Sequence, residues 1–402
     1  MLTFEEARDR VLSAAPRLEH ERVALDAALG RVLAEELVAS TDRPAFDYSA
    51  MDGYVLATGD VPSGEGDFRL RIVGESRTGG VIPARVEPGT ACRIFTGAEV
   101  PPRGDAVVMQ EVVEREGDVG VFRKRPRVGE HIRKAGEDLA AGARALPRGV
   151  RLGPAHMALI ASLDRSRVTV ARRPIVAIVS TGDELRDPGE PDRRGSVVDS
   201  NGPALAALVR ACGGEPRRLP FARDTLPDVR DALRDALAFA DVVLTIGGVS
   251  VGDHDVVRPA LAEIGVELDF WKVAIKPGKP LVVGHAGARR LLGLPGNPAS
   301  AMLTFVLFGA PLLRAMQGDA APVPTMQLAR LATTVNHATG RLEFLRATLA
   351  SDGTGWIATP LGNQASGAVT SFAWADGLIL VPADVATLEA GATVRVLRLG
   401  DV

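Results

Sequence analysis

From Pro174 to Met316, apolar runs of strand length alternate with amphipathic stretches of helix length. This alternation restricts the largest block of the chain to a mainly parallel sheet covered by helices on both faces. Ile175–Ser180 and Asp241–Ile246 read as buried strands, and Leu219–Phe221, Leu281–Gly284 and Leu291–Leu294 as the other strands of that sheet. Asn201–Ala211, Pro227–Ala240, Val257–Ile264 and Ala299–Met316 read as helices. Asn201 and Pro203 mark one helix start, and Gly213-Gly214 its end. Open sheets of this kind bind ligands in the crevice beyond the carboxyl ends of their strands, so the loops after the strands are where chemistry is expected.

Those loops share a composition. Ser180-Thr181-Gly182-Asp183-Glu184 follows one strand, and Arg223-Asp224 follows the next. Gly247-Gly248-Val249-Ser250-Val251-Gly252-Asp253-His254-Asp255 and Pro295-Gly296-Asn297-Pro298-Ala299-Ser300 follow two more, and Lys276-Pro277-Gly278-Lys279 lies between. Glycines let backbone N–H groups approach an anion, and a helix opening at Asn297-Pro298 favours an oxyanion. The lysines add positive charge. A carboxylate about 4 Å from an anion costs about 4 kcal/mol at an effective dielectric of 20. Acids and anion-binding loops therefore make sense together when a cation lies between them. Mg²⁺ fits, because it takes one or two carboxylates plus phosphate oxygens and water. The combination points to metal-assisted phosphoryl or phosphoanhydride chemistry. Taken singly, a glycine pair is a turn and a lysine is surface charge. Their recurrence at successive strand ends is what marks a site.

The flanking regions differ in texture. Residues 1–36 read as helix, with Thr3 and Glu6 as a capping box and apolar Val11, Leu18, Leu25, Leu29 and Leu33 at roughly helical spacing. Residues 41–150 are rich in Gly and Pro with short β-prone runs at Leu70–Val73, Ala91–Phe95, Ala106–Met109 and Val119–Phe122. Pro154–Leu163 is again helical. After Gly318, Gln327–Thr334, Phe344–Leu349, Ile357–Pro360, Gly377–Val381 and Thr393–Leu399 read as strands of a compact β domain. The fold class expected is multidomain α/β plus β. Residues 1–40 with 145–172 would form a helical, dimerising unit, 41–144 a small β-rich domain, 173–318 the α/β domain and 319–402 the C-terminal β domain.

Composition excludes several functions. A net charge of -3 lacks the basic field of a non-specific nucleic-acid binder. Two distant cysteines cannot supply an all-cysteine zinc or iron–sulfur site, and no H-E-x-x-H occurs. No G-x-G-x-x-G follows a strand and there is no Walker A loop. The N-terminus lacks a signal-peptide pattern, and the apolar run Ala301–Leu313 is short for a membrane span, so a cytoplasmic protein with no membrane partner is expected.

Seven motifs in order carry a resemblance. They are Ser49-Ala50-Met51-Asp52-Gly53-Tyr54, Ile94-Phe95-Thr96-Gly97-Ala98, Ile132-Arg133-Lys134-Ala135-Gly136-Glu137-Asp138, Ser180-Thr181-Gly182-Asp183-Glu184-Leu185, Gly247-Gly248-Val249-Ser250-Val251-Gly252, Lys276-Pro277-Gly278-Lys279-Pro280 and Leu294-Pro295-Gly296-Asn297-Pro298. In order and spacing they resemble the molybdopterin molybdenumtransferase family (MoeA, or the E domain of gephyrin), over nearly the whole chain. The resemblance implies an α/β domain similar to that of molybdopterin adenylyltransferases. It also implies an elongated homodimer with active clefts between subunits. The substrates would be adenylylated molybdopterin and molybdate, with AMP released and Mg²⁺ assisting, and a molybdopterin adenylyltransferase would be a transient partner.

Residue roles follow from the same resemblance. Glu184, Asp224 and Asp255 would hold Mg²⁺ or orient the attacking oxygen. Asp253 competes with Asp255 for its position, and Asp255 is chosen. Ser180, Thr181, Gly247, Gly248, Ser250, Lys276, Lys279, Pro295, Asn297, Pro298 and Ser300 would bind substrate or oxyanion, with Arg341 and Ser366 from the C-terminal domain. Asp52, Thr96, Arg133 and Asp138 would act from the partner subunit. A molybdopterin adenylyltransferase is the nearest rival, against which the Gly247-Gly248-Val249-Ser250 loop stands. A tungstate-inserting paralogue and a scaffold on the same fold are the other two.

Overall fold

A computed structural model describes residues 1–83, 85–248 and 256–401. At its centre is a six-stranded sheet in the order Glu215–Arg218, Ile175–Ser180, Val242–Ile246, Arg289–Leu294, Pro280–Ala286, Glu267–Lys272. The first four strands are parallel, and the last two pairings are antiparallel. Two inversions bring Glu267–Lys272 back to the direction of Arg289–Leu294. Ser180, Ile246, Leu294 and Lys272 therefore all end at one side of the sheet. The strand order reverses between Ile175–Ser180 and Val242–Ile246, the usual place for a ligand crevice.

Two strands differ from the reading above. The edge strand is Glu215–Arg218, not Leu219–Phe221. Its polar Glu-Pro-Arg-Arg sequence hides it, yet an edge position tolerates both Pro216 and exposed arginines. Glu267–Lys272 was not anticipated either. It is a second edge strand, with only Phe270 fully buried.

Helices cover both faces. Asn201–Ala211 and the long Pro298–Met316 helix pack on one face, and Leu226–Phe239 and Val257–Glu263 on the other. Pro298–Met316 is apolar over 19 residues, and 94% of its most apolar window is buried inside the protein, as befits a core helix. It takes a π-turn at Phe305–Gly309 just before Pro311, whose missing N–H interrupts the regular ladder.

The C-terminal domain is a closed barrel. Leu342–Ser351, Trp356–Pro360, Gln327–Leu331, Thr393–Arg398 and Gly377–Val381 pair in sequence, and Gly377–Val381 returns to Leu342–Ser351. Closure leaves no free edge among these five. The α/β domain is joined to it by backbone pairing of Ile275–Lys276 with Leu342–Glu343.

The expected helix over residues 1–36 is corrected. Helix covers Phe4–Ser13, with the Thr3–Glu6 capping box as anticipated, and His20–Ala24 is a strand paired with Arg167–Ala171. A distant partner strand overrides the local periodicity, leaving Leu29 exposed while Leu33 and Leu37 are buried. Phe4 packs edge-on against Phe308 and Phe344, so the first helix sits where the α/β domain meets the barrel. Segments 20–39 and 144–171 share a separate core around Leu33, Leu152, Ile160 and Val170. The small β domain is a six-stranded sheet in the order Ala106–Met109, Gly53–Leu56, Thr90–Ile94, Phe68–Ser76, Val119–Phe122, Val113–Glu116.

Candidate functional site

Three strand-end loops interlock at the crevice. Thr181 N–H donates to Ile246 O at 3.1 Å, Gly182 N–H to Ala222 O at 3.2 Å, and Gly247 N–H to Leu294 O at 3.2 Å. Ser180 and Thr181 are buried in this floor. A Cβ on Gly247 would stand 3.1 Å from Thr181 O, and one on Gly248, at φ +61°, would stand 2.6 Å from Val257 Cγ2. Gly247 lies against the Thr181 backbone, and Gly248 combines a left-handed backbone with the Val257 side chain packed on it.

The acids stand at the rim. Glu184 is exposed, and its side chain folds back over Gly182: a Cβ at that glycine would lie 2.6 Å from Glu184 Oε2. Asp224 is exposed on the neighbouring loop, which the Thr181–Ala222 bridge ties to the loop of Glu184. Ser250, Asp253 and Asp255 lie outside the described residues. Among the described residues no group of three or more metal-type ligands forms.

The basic loop lies beside the barrel, to which Ile275–Lys276 pairs. Lys276 Nζ lies 2.9 Å from Glu343 Oε1, and Glu343 Oε2 lies 2.6 Å from the buried His337 Nδ1. Lys279 is exposed. Gly278 abuts the Pro298 helix, where a Cβ would meet Thr304 Cγ2 at 2.6 Å. Arg341 immediately precedes the barrel strand that pairs with Ile275–Lys276, so it stands at this seam.

At the start of that helix the structure narrows an expectation. Pro298 has no N–H, and the Ala299 N–H donates to Ser366 O at 2.9 Å. Part of the donor set expected to face an oxyanion is thus taken by the C-terminal domain, and Ser300 is buried. Asn297 remains exposed at the cap, after buried Pro295. The loop carrying Ser366 is held by Arg346, 1% exposed, which donates to Ala365 O at 3.0 Å and to Ser371 Oγ at 3.2 Å.

Asn201 takes a different role from the cap expected of it. Asp199 Oδ1 accepts from the N–H groups of Asn201 and Gly202, at 3.0 and 2.9 Å, which frees the Asn201 amide to donate to Gly296 O at 2.8 Å.

A second constellation lies on the small β domain. Asp52 Oδ1 accepts from Thr96 N and Thr96 Oγ1, both at 2.8 Å, and these bonds hold the carboxyl below the usual carboxylate range. Ser49 exchanges backbone bonds with Gly97 and Ala98, and Ala50 N–H donates to His131 O. The Thr96 and Arg133 loops therefore flank the segment that carries Asp52. Arg133 is paired with Glu137 at 2.9 Å, and Asp138 is exposed. Among the described residues, no backbone hydrogen bond joins residues 45–138 to residues 173–401. The two constellations are not brought together by backbone pairing within one subunit.

The chain is related to known proteins over its whole length. Residues 2–163 match the family model described as the MoeA N-terminal region (domain I and II). Residues 177–315 match a probable molybdopterin binding domain, and residues 328–399 the MoeA C-terminal region (domain IV). A molybdopterin molybdenumtransferase of Nostoc sp. is 35% identical over 99% of this chain and 94% of its own. That of Haemophilus influenzae is 34% identical over 98% of both. The chain belongs to the molybdopterin molybdenumtransferase family. A molybdopterin biosynthesis protein from Pyrococcus horikoshii OT3 shares the family architecture at a TM-score of 0.86 and 29% identity, covering 99% of this chain and 100% of that one.

With the family in view, three residues that received no role from the sequence stand out. Glu343 fixes Lys276, Arg346 fixes the Ser366 loop, and Arg93 lies between the Tyr54 and Phe95 rings at 5.0 and 4.9 Å. Arg93 directly precedes the Ile94-Phe95-Thr96-Gly97-Ala98 motif and Glu343 lies two residues after Arg341, so position alone was a signal. Arg346 alternates with the core-facing Leu345 and Ala347, so it lies on the outer face of its barrel strand, buried beneath the segment that carries Ser366.

Proposed function

We propose that the chain is a molybdopterin molybdenumtransferase, which inserts molybdate at the dithiolene of adenylylated molybdopterin and releases AMP. The observation that carries this reading is the Thr181–Ala222 bridge, which ties the strand-end loops of Glu184 and Asp224 together on the sheet side from which the Lys276–Lys279 loop also departs. It lies in a chain aligned end to end with molybdenumtransferases.

The chain's own residues divide the work. Glycines at 182, 247 and 248 let the strand-end loops pack closely against Glu184, Thr181 and Val257, which fixes the backbone of those loops. Lys276, anchored by Glu343, and the exposed Lys279 bind oxyanion oxygens of phosphate or molybdate. Glu184 and Asp224 would hold Mg²⁺. When bound, the ion would neutralise charge on the phosphoanhydride oxygens as AMP departs. Ser366 and Arg341 bring the barrel to the same rim. Asp52, Thr96, Arg133 and Asp138 act from the partner subunit of a homodimer. We place the enzyme in the cytoplasm, in keeping with its unpaired Cys92 and Cys212. It would receive its pterin there from a molybdopterin adenylyltransferase.

The test is AMP release from adenylylated molybdopterin in the presence of Mg²⁺, with and without molybdate. Molybdate-stimulated release with formation of molybdenum cofactor is the expected outcome. No release by correctly folded protein would reject the transferase reading.

A further inference from the structure

Lys276 reaches the strand-end side of the sheet with a carboxylate already on it. Its Nζ lies 2.9 Å from Glu343 Oε1, and its side chain is 41% exposed while that of Glu343 is 7% exposed. Backbone pairing of Ile275–Lys276 with Leu342–Glu343 fixes both Cα positions, so the carboxylate is built in. Behind it, the His337 N–H donates to Ala386 O at 2.8 Å, and the His337 side chain is wholly buried. Glu343 Oε2 lies 2.6 Å from His337 Nδ1, and an ionised carboxylate only accepts, so Nδ1 carries the proton. His337 Nε2 is buried with no hydrogen-bond partner among the described residues, and a second proton there would have nothing to bond. The imidazole is therefore neutral. Arg346 feels the Glu343 charge but is committed to Ala365 O and Ser371 Oγ. Among the described residues, Lys276 is thus the one cation within ion-pair distance of Glu343.

We propose that Glu343 is a built-in competitor for the oxyanion at Lys276, and that the His337 donor sets how hard it competes. The proposal rests on Lys276 as an oxyanion ligand in the transferase reading. A bare lysine would present a full positive charge to molybdate or phosphate. Paired with Glu343 it presents a neutral couple with N–H donors to spare, and the carboxylate repels an arriving anion. The bond from His337 takes up part of the carboxylate's charge, so that Lys276 is not held outright. A weak hold suits a site that must release an oxyanion at each turnover, because binding substrate and transition state equally tightly does not raise kcat.

The experiment is calorimetric titration of the full-length protein with molybdate, and separately with inorganic phosphate, in the absence of pterin. Glu343→Gln keeps an oxygen acceptor for Lys276 but removes the charge, and is expected to tighten both anions roughly tenfold. Adding Lys276→Met to Glu343→Gln is expected to abolish that gain. His337→Leu strips the donor from Glu343 and leaves Lys276 as its ion-pair partner, so both anions should weaken about threefold or more. His337→Asn keeps an N–H near the Nδ1 position and should stay within about twofold of wild type. Opposite signs for Glu343→Gln and His337→Leu cannot come from a loosened seam, which would weaken binding in both. In turnover, Glu343→Gln lowers KM for molybdate without raising kcat. Three results would each overturn the proposal: no anion binding by either wild type or Glu343→Gln, equal or weaker binding in Glu343→Gln, or a gain that survives Lys276→Met. Tighter binding in His337→Leu, or a large change in His337→Asn, would overturn the part given to His337. Tighter anion binding in Glu343→Gln without any AMP release would sink the transferase reading and leave this competition standing.

Discussion

Lys276 Nζ sits 2.9 Å from Glu343 Oε1, an ion pair that joins the basic loop of the α/β domain to the first turn of the barrel strand. The same carboxylate satisfies His337 Nδ1 at 2.6 Å, and both Glu343 and His337 are buried. Glu343→Ala would leave a buried imidazole nitrogen without its partner and release Lys276. The expected loss is about 1–3 kcal/mol, most of it from His337, because Lys276 is partly exposed and screened. Urea unfolding that changes by less than about 0.5 kcal/mol would show that the seam does not depend on this contact.

Gly182 and Glu184 give a second prediction. Gly182 has φ +151°, and an added Cβ would meet both oxygens of the Glu184 carboxylate within 2.8 Å. Gly182→Ala should push that carboxylate off the strand end while the buried sheet survives. AMP release should fall roughly tenfold or more, with half-maximal Mg²⁺ moving to higher concentration. An unchanged Mg²⁺ dependence would remove Glu184 from the cation site.

How much of this was legible in the residues depends on where the information lies. Ile175–Ser180 and Val242–Ile246 are apolar at nearly every position, so their ends, and the loops after them, were readable directly. His20–Ala24 was not, because what makes it a strand is Arg167–Ala171, more than a hundred residues away. Glu215–Arg218 escaped because an edge strand has little apolar surface to bury. The carbonyl of Ser366 on the Ala299 N–H escaped for a different reason. It is a backbone contact between domains, and side-chain identity says nothing about it. Asp199 differs again: it took the capping role that composition assigned to Asn201 through its own carboxylate, from a position two residues before the expected helix start.

Asp241 links stability to pH. Burial would raise its carboxyl pKa, but the bidentate Arg172 guanidinium, at 2.7 Å to each oxygen, and the Ile175 N–H hold it below the usual range. A depressed folded pKa means stability present above the unfolded value, about 3.9, and lost as pH falls through the folded one. Asp241→Asn should therefore lower the thermal midpoint by about 2–4 °C at pH 7. The gap to wild type should hold down to about pH 5 and narrow below about pH 4. A gap that widens on acidification would contradict the assignment.

The last prediction concerns which subunit completes the site. Asp52 and Asp224 lie on domains that share no backbone hydrogen bond among the described residues, and the transferase reading asks both to serve one substrate. If they meet across a two-fold interface, two defective homodimers can repair each other. Asp52→Asn protein mixed with Asp224→Ala protein, after subunit exchange, would yield mixed dimers in half of the population. Each mixed dimer pairs one unaltered Asp52 with one unaltered Asp224 and so carries one intact site of two. At pterin substrate well below KM, where both parents are slow, the mixture should reach roughly a quarter of wild-type activity. A site built within a single subunit has no such rescue, because every subunit in the mixture carries one of the two substitutions. Activity that stays at the parental level after demonstrated exchange would therefore place Asp52 and Asp224 of one chain in the same cleft, and an increase would require the partner.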